Sequence, residues 1–245
     1  MTLIWAHRGS RADAPENTLA AFELAIAQGA DGVELDVQLS ADSEVVVIHD
    51  ETLERTTDGR GPVAAVALAG LRELDASGGR PGFAGARIPI LGEVLDVLAP
   101  TALAVNIELK NSDEAYPGME EKVLAAVAAR GLADRVVLSS FNHYSLRTLQ
   151  KLGTSCELAM LYTDPLYKPW RYAARLGVGA IHPPARYVWG AGYVRRAHAA
   201  GLKVRPWVVN GRNHLARMLG YGVDGVVTDV PALAADVRSK GLGTG

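Results

Sequence analysis

Short β-rich runs alternate with helical patterns for most of this chain, and that alternation leaves few folds open. Runs at residues 3–7, 32–37, 103–109, 136–140, 157–161, 179–182, 203–208 and 224–228 read as strands. Between them fall helical patterns, such as 17–28 with apolar Leu19, Phe22 and Ile26, and 120–130 with Val123, Leu124 and Val127. Strands separated by helices build βαβ units and a parallel sheet. Eight strands within 245 residues match one (β/α)8 barrel, which takes roughly 250 residues. The expected fold is an α/β TIM (β/α)8 barrel, with residues 1–245 as one domain.

One β-rich run breaks the alternation. Residues 44–49 follow the second strand after only Ser40-Ala41-Asp42-Ser43, too short for a parallel crossover. This run is expected to return as a hairpin and to bring His49 back beside Glu34. The next stretch, about 50–88, holds seven glycines and two prolines and reads as an insertion over one face of the barrel, with no second core evident. Residues from Lys240 to the end read as a tail.

Composition excludes some functions. Hydrophobic residues are 49% and charged residues 21%, with a net charge of −2, ordinary for a globular enzyme. With no dense run of Lys or Arg, there is no footprint for nucleic acid. The four apolar residues before His7 are too few for a signal core or a membrane span, so the expectation is a cytoplasmic protein without stable membrane insertion. The single Cys156 is expected to be buried core.

Three acids carry the first chemical signal. Glu34 and Asp36 alternate with Val33, Leu35 and Val37, so both carboxylates share one strand face. Glu108 repeats the pattern between Ile107 and Leu109. Carboxylates desolvated together repel unless a positive charge lies between them. A divalent cation answers this, and three hard oxygen ligands favour Mg²⁺ or Ca²⁺ over Zn²⁺.

His7 and Arg8 end the first strand, on the face where barrel enzymes keep their active sites; His49 is expected to reach the same face. Two imidazoles beside a metal suit a general base and a general acid. Arg8 and Lys110 are placed to meet an anion that also touches the cation, and a phosphodiester fits that set. Glu16 and Asn17 overhang this face as candidate substrate contacts, Asn17 doubling as a helix N-cap. Phe141 and Trp207 are candidate pocket walls. His143 is expected to cap a helix, His198 and His214 to lie on helical surfaces, and His182, at a strand end, stays open between site and structure.

Taken together, His7-Arg8-Gly9, Pro15-Glu16-Asn17-Thr18, Glu34-Leu35-Asp36-Val37, His49-Asp50, 53–57, Ile107-Glu108-Leu109-Lys110, Ser139-Ser140-Phe141, Trp207-Val208-Val209-Asn210, Asp224-Gly225 and Thr228-Asp229 give the chain its likeness. It resembles, nearly end to end, the glycerophosphodiester phosphodiesterase family, especially its short cytoplasmic bacterial members. The resemblance implies a barrel with a small subdomain inserted after the second strand and a Mg²⁺ or Ca²⁺ cofactor. It implies as substrate a small glycerophosphodiester, such as glycerophosphocholine or glycerophosphoethanolamine, cut to sn-glycerol 3-phosphate and an alcohol. Carried over by position, Glu34, Asp36 and Glu108 hold the metal, His7 and His49 are the acid/base pair, and Arg8 and Lys110 hold the phosphate. Attack by a glycerol hydroxyl through a cyclic phosphate and direct attack by water both remain open, as does the order of the two histidines.

Two other functions compete. A phospholipase D-like enzyme acting on lysophospholipids needs an apolar trough, and the insertion, with Phe83 as its one aromatic residue, offers little interfacial anchorage. A non-catalytic barrel binding a phosphorylated ligand has no use for paired acid/base groups. Loops 162–170 and 183–189 are where substrate choice is expected to lie.

Overall fold

Residues 1–240 are described by the computed structural model. In chain order the elements are β1 (Leu3–His7), α1 (Leu19–Ala27), β2 (Gly32–Leu39), β3 (Val45–Val47), α2 (Leu68–Glu73), α3 (Leu91–Leu98), β4 (Ala104–Leu109) and α4 (Met119–Ala128). There follow β5 (Val136–Ser140), α5 (His143–Lys151), β6 (Glu157–Leu161), α6 (Pro169–Leu176), β7 (Ala180–His182), α7 (Ala191–His198), β8 (Lys203–Val204), α8 (Arg212–Tyr221), β9 (Gly225–Thr228) and α9 (Pro231–Ser239). The expected tail beyond Lys240 lies outside the described residues.

Eight strands run parallel in the order β8-β7-β6-β5-β4-β2-β1-β9, the sheet of a (β/α)8 barrel. The expected strand at 203–208 shortens to Lys203–Val204 because Pro206 has no N–H for the ladder. Backbone bonds still join its continuation to both neighbours. Arg205 N donates to Ile181 O at 3.1 Å, Val227 N to Pro206 O at 3.0 Å and Val209 N to Val227 O at 2.9 Å. These bring the ends of the sheet together, so β1 and β9 on one side and β7 and β8 on the other form a nearly closed ring.

Alternation along the strands sorts the two faces. Val33, Leu35 and Val37 of β2 and Val105, Ile107 and Leu109 of β4 pack outward with Phe22, Leu91, Leu95, Val123 and Leu146 of the helices in one large core. Inside the barrel a smaller cluster of Trp5, Val137, Ala159, Ala180 and Val227 fills the space beneath the site. Trp5 is 1% exposed. Its indole fits because β2 and β9 present Gly32 and Gly225 to it; a Cβ at either position would stand within 2.8 Å of the ring.

The predicted hairpin forms, with β3 antiparallel to β2 and Val37 opposite Val47. Pairing ends as Ile48 N bonds Asp36 O at 3.0 Å, and His49 lies just beyond the ladder, on the cavity that Glu34 also lines. The insertion departs from its sequence reading. Leu53, Val63, Leu71, Ala76 and Ile88 form a second apolar cluster with Val46 and Ile48 of the returning strand. Sequence inspection overlooked it because these residues are widely spaced among glycines and exposed polar groups, without strand or helix periodicity.

Helix caps bring two further corrections. Thr18, not Asn17, caps α1, accepting from Ala21 N at 3.3 Å. Asn142, not His143, caps α5, accepting from Tyr144 N at 3.1 Å.

The turn after β1 requires Gly9. Arg8 and Gly9 have φ of 55° and 79° in succession, and a Cβ on Gly9 would lie 2.6 Å from the Ala21 backbone. Gly9→Ala is expected to destabilise the fold by at least about 2 kcal/mol, from the left-handed conformation and the overlap combined. Urea denaturation of the two proteins checks this, and an unchanged midpoint would contradict it.

Candidate active site

Strand register assembles the site. His7 pairs with Glu34 across β1 and β2; Glu34 pairs with Asn106, and Asp36 with Glu108, across β2 and β4. Paired residues of neighbouring parallel strands point to the same side, so both layers turn their polar side chains into the barrel mouth. Glu34, Asp36 and Glu108 offer one oxygen each, all within 4.8 Å of one another. They are buried, at 4%, 1% and 8% exposure.

Three acids this close and this dry cannot all be ionised without compensation. Burial, then repulsion from Asp36 and Glu108, holds the Glu34 carboxyl well above its ordinary range. Burial and Asp36 push Glu108 up to about 7. For Asp36 burial acts upward, but Arg8, His49, Lys110 and the hydrogen bond from Asn17 outweigh it and keep the group low. Among the described residues, two acceptors in the triad have no hydrogen-bond partner, Asp36 Oδ1 and Glu108 Oε1, and beside them neither does Asn106 Oδ1. Buried oxygens left this way call for a partner. A hard divalent cation meets that need with oxygen ligands alone.

The cations are placed by neighbouring segments. Arg8 N donates to Glu34 Oε2 at 2.9 Å, and its Nε lies 3.2 Å from Asp36 Oδ2 without the alignment to donate. Lys110 Nζ stands 3.4 Å from Glu108 Oε1 and 3.3 Å from His49 Nε2. Glu16 and Asn17 do not line the central cavity; each holds a group of the cluster. Glu16 accepts from Arg8, Arg11 and Arg55, and Asn17 Nδ2 donates to Asp36 Oδ2 at 2.9 Å.

Both histidines are oriented by a carboxylate. His7 Nδ1 bonds Asp229 Oδ1 at 2.6 Å, and His49 Nδ1 bonds Asp50 Oδ1 at 2.6 Å. An ionised carboxylate only accepts, so each Nδ1 carries a proton and each Nε2 is the ring atom left to exchange one. Burial, with the Arg8 and Lys110 charges, lowers the His49 pKa despite the opposing pull of Asp36 and Asp50; the ring is neutral at neutral pH. Asp50 is held down at about 2, chiefly by Arg55.

The cavity between these groups is about 140 Å³, lined by His7, Arg8, Glu34, His49, Asn106 and Glu108 on one side and Phe141, Leu161, His182, Trp207 and Val227 on the other. Phe141 and Trp207 meet edge to face at 5.7 Å, as the pocket walls expected of them. His143, His198 and His214 stand elsewhere: His143 bonds Tyr172 and the Leu161 carbonyl, His198 pairs with Asp224, and His214 lies on α8.

Sequence reading did not assign roles to Asp50, Asp229, Asn106 or Arg205, and left His182 undecided. Some of these carried a signal. Asp50 adjoins His49, Asn106 shares the face of Glu108 two residues away, and barrel closure sets β9, and so Asp229, beside His7. Arg205 had none; its place follows from the register of β7 with β8.

An acid whose folded pKa is raised costs stability above its unfolded pKa, and the cost grows as pH rises toward the folded value. Metal-free protein should therefore weaken between about pH 5 and pH 8. Glu108→Gln should raise its stability at pH 8 by on the order of 3 kcal/mol and leave it little changed at pH 4. Denaturant titrations of chelator-treated proteins read this, and equal gains at both pH values would count against it.

Known proteins resemble this chain in sequence and fold over nearly its whole length. The model of the Glycerophosphoryl diester phosphodiesterase family matches residues 7–233. A glycerophosphodiester phosphodiesterase from Caldanaerobacter subterraneus is 43% identical over 242 residues, covering 98% of this chain and 99% of its own. The crystal structure of a glycerophosphodiester phosphodiesterase from Agrobacterium tumefaciens superposes with a TM-score of 0.85 at 34% identity, over 96% of this chain and 100% of that one. An Oleispira antarctica phosphodiesterase, solved with the product sn-glycerol-3-phosphate, gives a TM-score of 0.87 at 30% identity, over 98% and 97% of the two chains. By sequence and fold alike, the chain belongs to the Glycerophosphoryl diester phosphodiesterase family and is a phosphodiesterase of the TIM-barrel type.

Proposed function

We propose that this phosphodiesterase hydrolyses small glycerophosphodiesters, such as glycerophosphocholine or glycerophosphoethanolamine, to sn-glycerol 3-phosphate and an alcohol, with Mg²⁺ or Ca²⁺ held by Glu34, Asp36 and Glu108. One observation carries the reading: a buried, electrostatically frustrated triad of acids adjoins a cavity lined by two imidazoles, each held by its own carboxylate. The Oleispira antarctica relative, solved with sn-glycerol-3-phosphate, supports the product.

Each part has work matched to its chemistry. The bound cation supplies Lewis acidity toward a phosphoryl oxygen. Arg8 and Lys110 hold the phosphate and stabilise the negative charge that grows on its oxygens. Of His7 and His49, one takes the proton from the attacking oxygen and the other protonates the departing alcohol. Asp229 and Asp50 hold a proton on each Nδ1 and so leave the exchange to Nε2: the base takes its proton on an unprotonated Nε2, the acid gives one from a protonated Nε2, and either order serves. Phe141 and Trp207 cover the glycerol carbons. A water nucleophile and a glycerol hydroxyl nucleophile both fit the same groups.

A second reading has an observation in its favour. Leu166, Tyr167 and Trp189 are exposed at 39%, 86% and 74% and border one groove with Lys168 and Arg196, on the loops after β6 and β7. Aromatic and basic residues together suit a lipid interface, which would favour lysophospholipids as substrates. No helix of the described residues is long and apolar enough to cross a membrane. A cytoplasmic setting, where the buried thiol of Cys156 stays reduced, accords with the first reading.

Metal-stripped protein given glycerophosphocholine should release glycerol 3-phosphate only when Mg²⁺ or Ca²⁺ is restored. His7→Ala and His49→Ala should each lower kcat by about 10²–10⁴-fold while glycerol 3-phosphate still binds. Release without metal, or a faster reaction with lysophosphatidylcholine in parallel, would displace this proposal.

A further inference from the structure

The cavity has two unlike walls. In a ring of eight strands the fourth neighbour stands opposite, and from β2 the order runs β4, β5, β6, β7. His182, the last residue of β7, therefore faces the strand of Glu34 and Asp36 across the barrel mouth. Its companions on that side are the apolar or aromatic Phe141, Leu161, Trp207 and Val227. Trp207 spends its one donor on the His182 carbonyl, at 2.7 Å.

The His182 ring is fixed from below. Arg205 Nη1 lies 3.3 Å from His182 Nε2, and a guanidinium only donates, so Nε2 accepts and the proton sits on Nδ1. Arg205 is itself locked, bonded to Glu157 at 2.6 Å and stacked 5.3 Å over the Trp5 ring. Burial and the Arg205 charge hold the imidazole pKa far below its usual value, which rules out a charged, doubly protonated ring. Nδ1 has no hydrogen-bond partner among the described residues, yet it is absent from their buried unpaired atoms. Buried though the residue is, at 1% exposure, this nitrogen opens to the cavity that His182 lines.

We infer that His182 is a specificity residue: its Nδ1–H donates to the terminal hydroxyl of the glycerol moiety, the one farthest from phosphorus, as the substrate reaches from the acid-lined wall to the aromatic one. The inference rests on the glycerophosphodiester reading above. A neutral, pre-oriented donor in an otherwise apolar wall favours a ligand carrying a hydroxyl there. A ligand lacking it leaves the N–H unpaired and dry. Arg205 touches no substrate; it is a positioning residue that sets the His182 tautomer.

Calorimetric binding of sn-glycerol 3-phosphate and of its 1-deoxy analogue to the Mg²⁺- or Ca²⁺-loaded protein tests this. Wild type should bind the deoxy compound about tenfold more weakly. His182→Phe should weaken sn-glycerol 3-phosphate by a similar factor and erase the difference, and His182→Gln, which keeps an amide donor, should restore part of it. With glycerophosphocholine as substrate the His182→Phe loss should fall on KM more than on kcat. A wild type that binds both ligands equally, or a His182→Phe protein that keeps the wild-type ratio, overturns the assignment while leaving the phosphodiesterase reading intact. Wild-type protein that neither binds glycerol 3-phosphate nor releases it from glycerophosphocholine overturns that reading first.

Discussion

Three carboxylates buried within 4.8 Å of one another are the constraint around which this molecule is arranged. Their burial in a dry barrel mouth, and after it their repulsion, exceeds what the nearby cations relieve, since Glu34 remains raised despite Arg8, and Glu108 despite Lys110 and Arg8. The fold does not neutralise the cluster; it holds the acids at the spacing of ligands and leaves oxygens unpaired. Under the proposed function, stability is given up locally for affinity toward a cation, as functional sites commonly do.

The supporting charges are themselves supported. Glu16 gathers Arg8, Arg11 and Arg55, Arg55 reaches on to Asp50, and Asp50 orients His49. The β1–α1 loop and the insertion are thus tied to the catalytic histidine proposed for the hairpin strand. Arg80 of the insertion adds bonds to the Arg11 and Ala12 carbonyls. A segment that looked in sequence like a loose cover has its own apolar cluster and ionic ties that place His49. Removing one charge from such a network exposes its partner, so single substitutions there report on the whole.

Much of the architecture was legible because parallel strands advertise themselves as apolar runs at regular intervals, and because alternate residues share a face. That alternation alone puts Glu34, Asp36 and Glu108 on one side, and Phe141 and Trp207 line the same cavity as Glu34 and Glu108. Register and closure were not legible. The position of His49 depended on where the β2–β3 ladder stops, and the Asp229–His7 contact spans 222 residues, adjacent only once β9 meets β1. The Arg205–His182 contact depends on how β7 sits against β8 around a proline. Local composition gave Asn17 and His143 plausible caps, yet one residue of offset moved each cap to a neighbour and freed Asn17 to clamp Asp36. The family likeness in the motifs reached the residues themselves but not the bonds that hold them.

The most direct test of the central claim is a calorimetric titration of chelator-treated protein with Mg²⁺ and Ca²⁺ in buffers of different ionisation enthalpy. The account predicts one ion per chain, protons released on binding because Glu34 and Glu108 hold them in its absence, and loss of that binding in Asp36→Asn. Binding with no proton release, or unchanged binding in the Asp36→Asn protein, would contradict it.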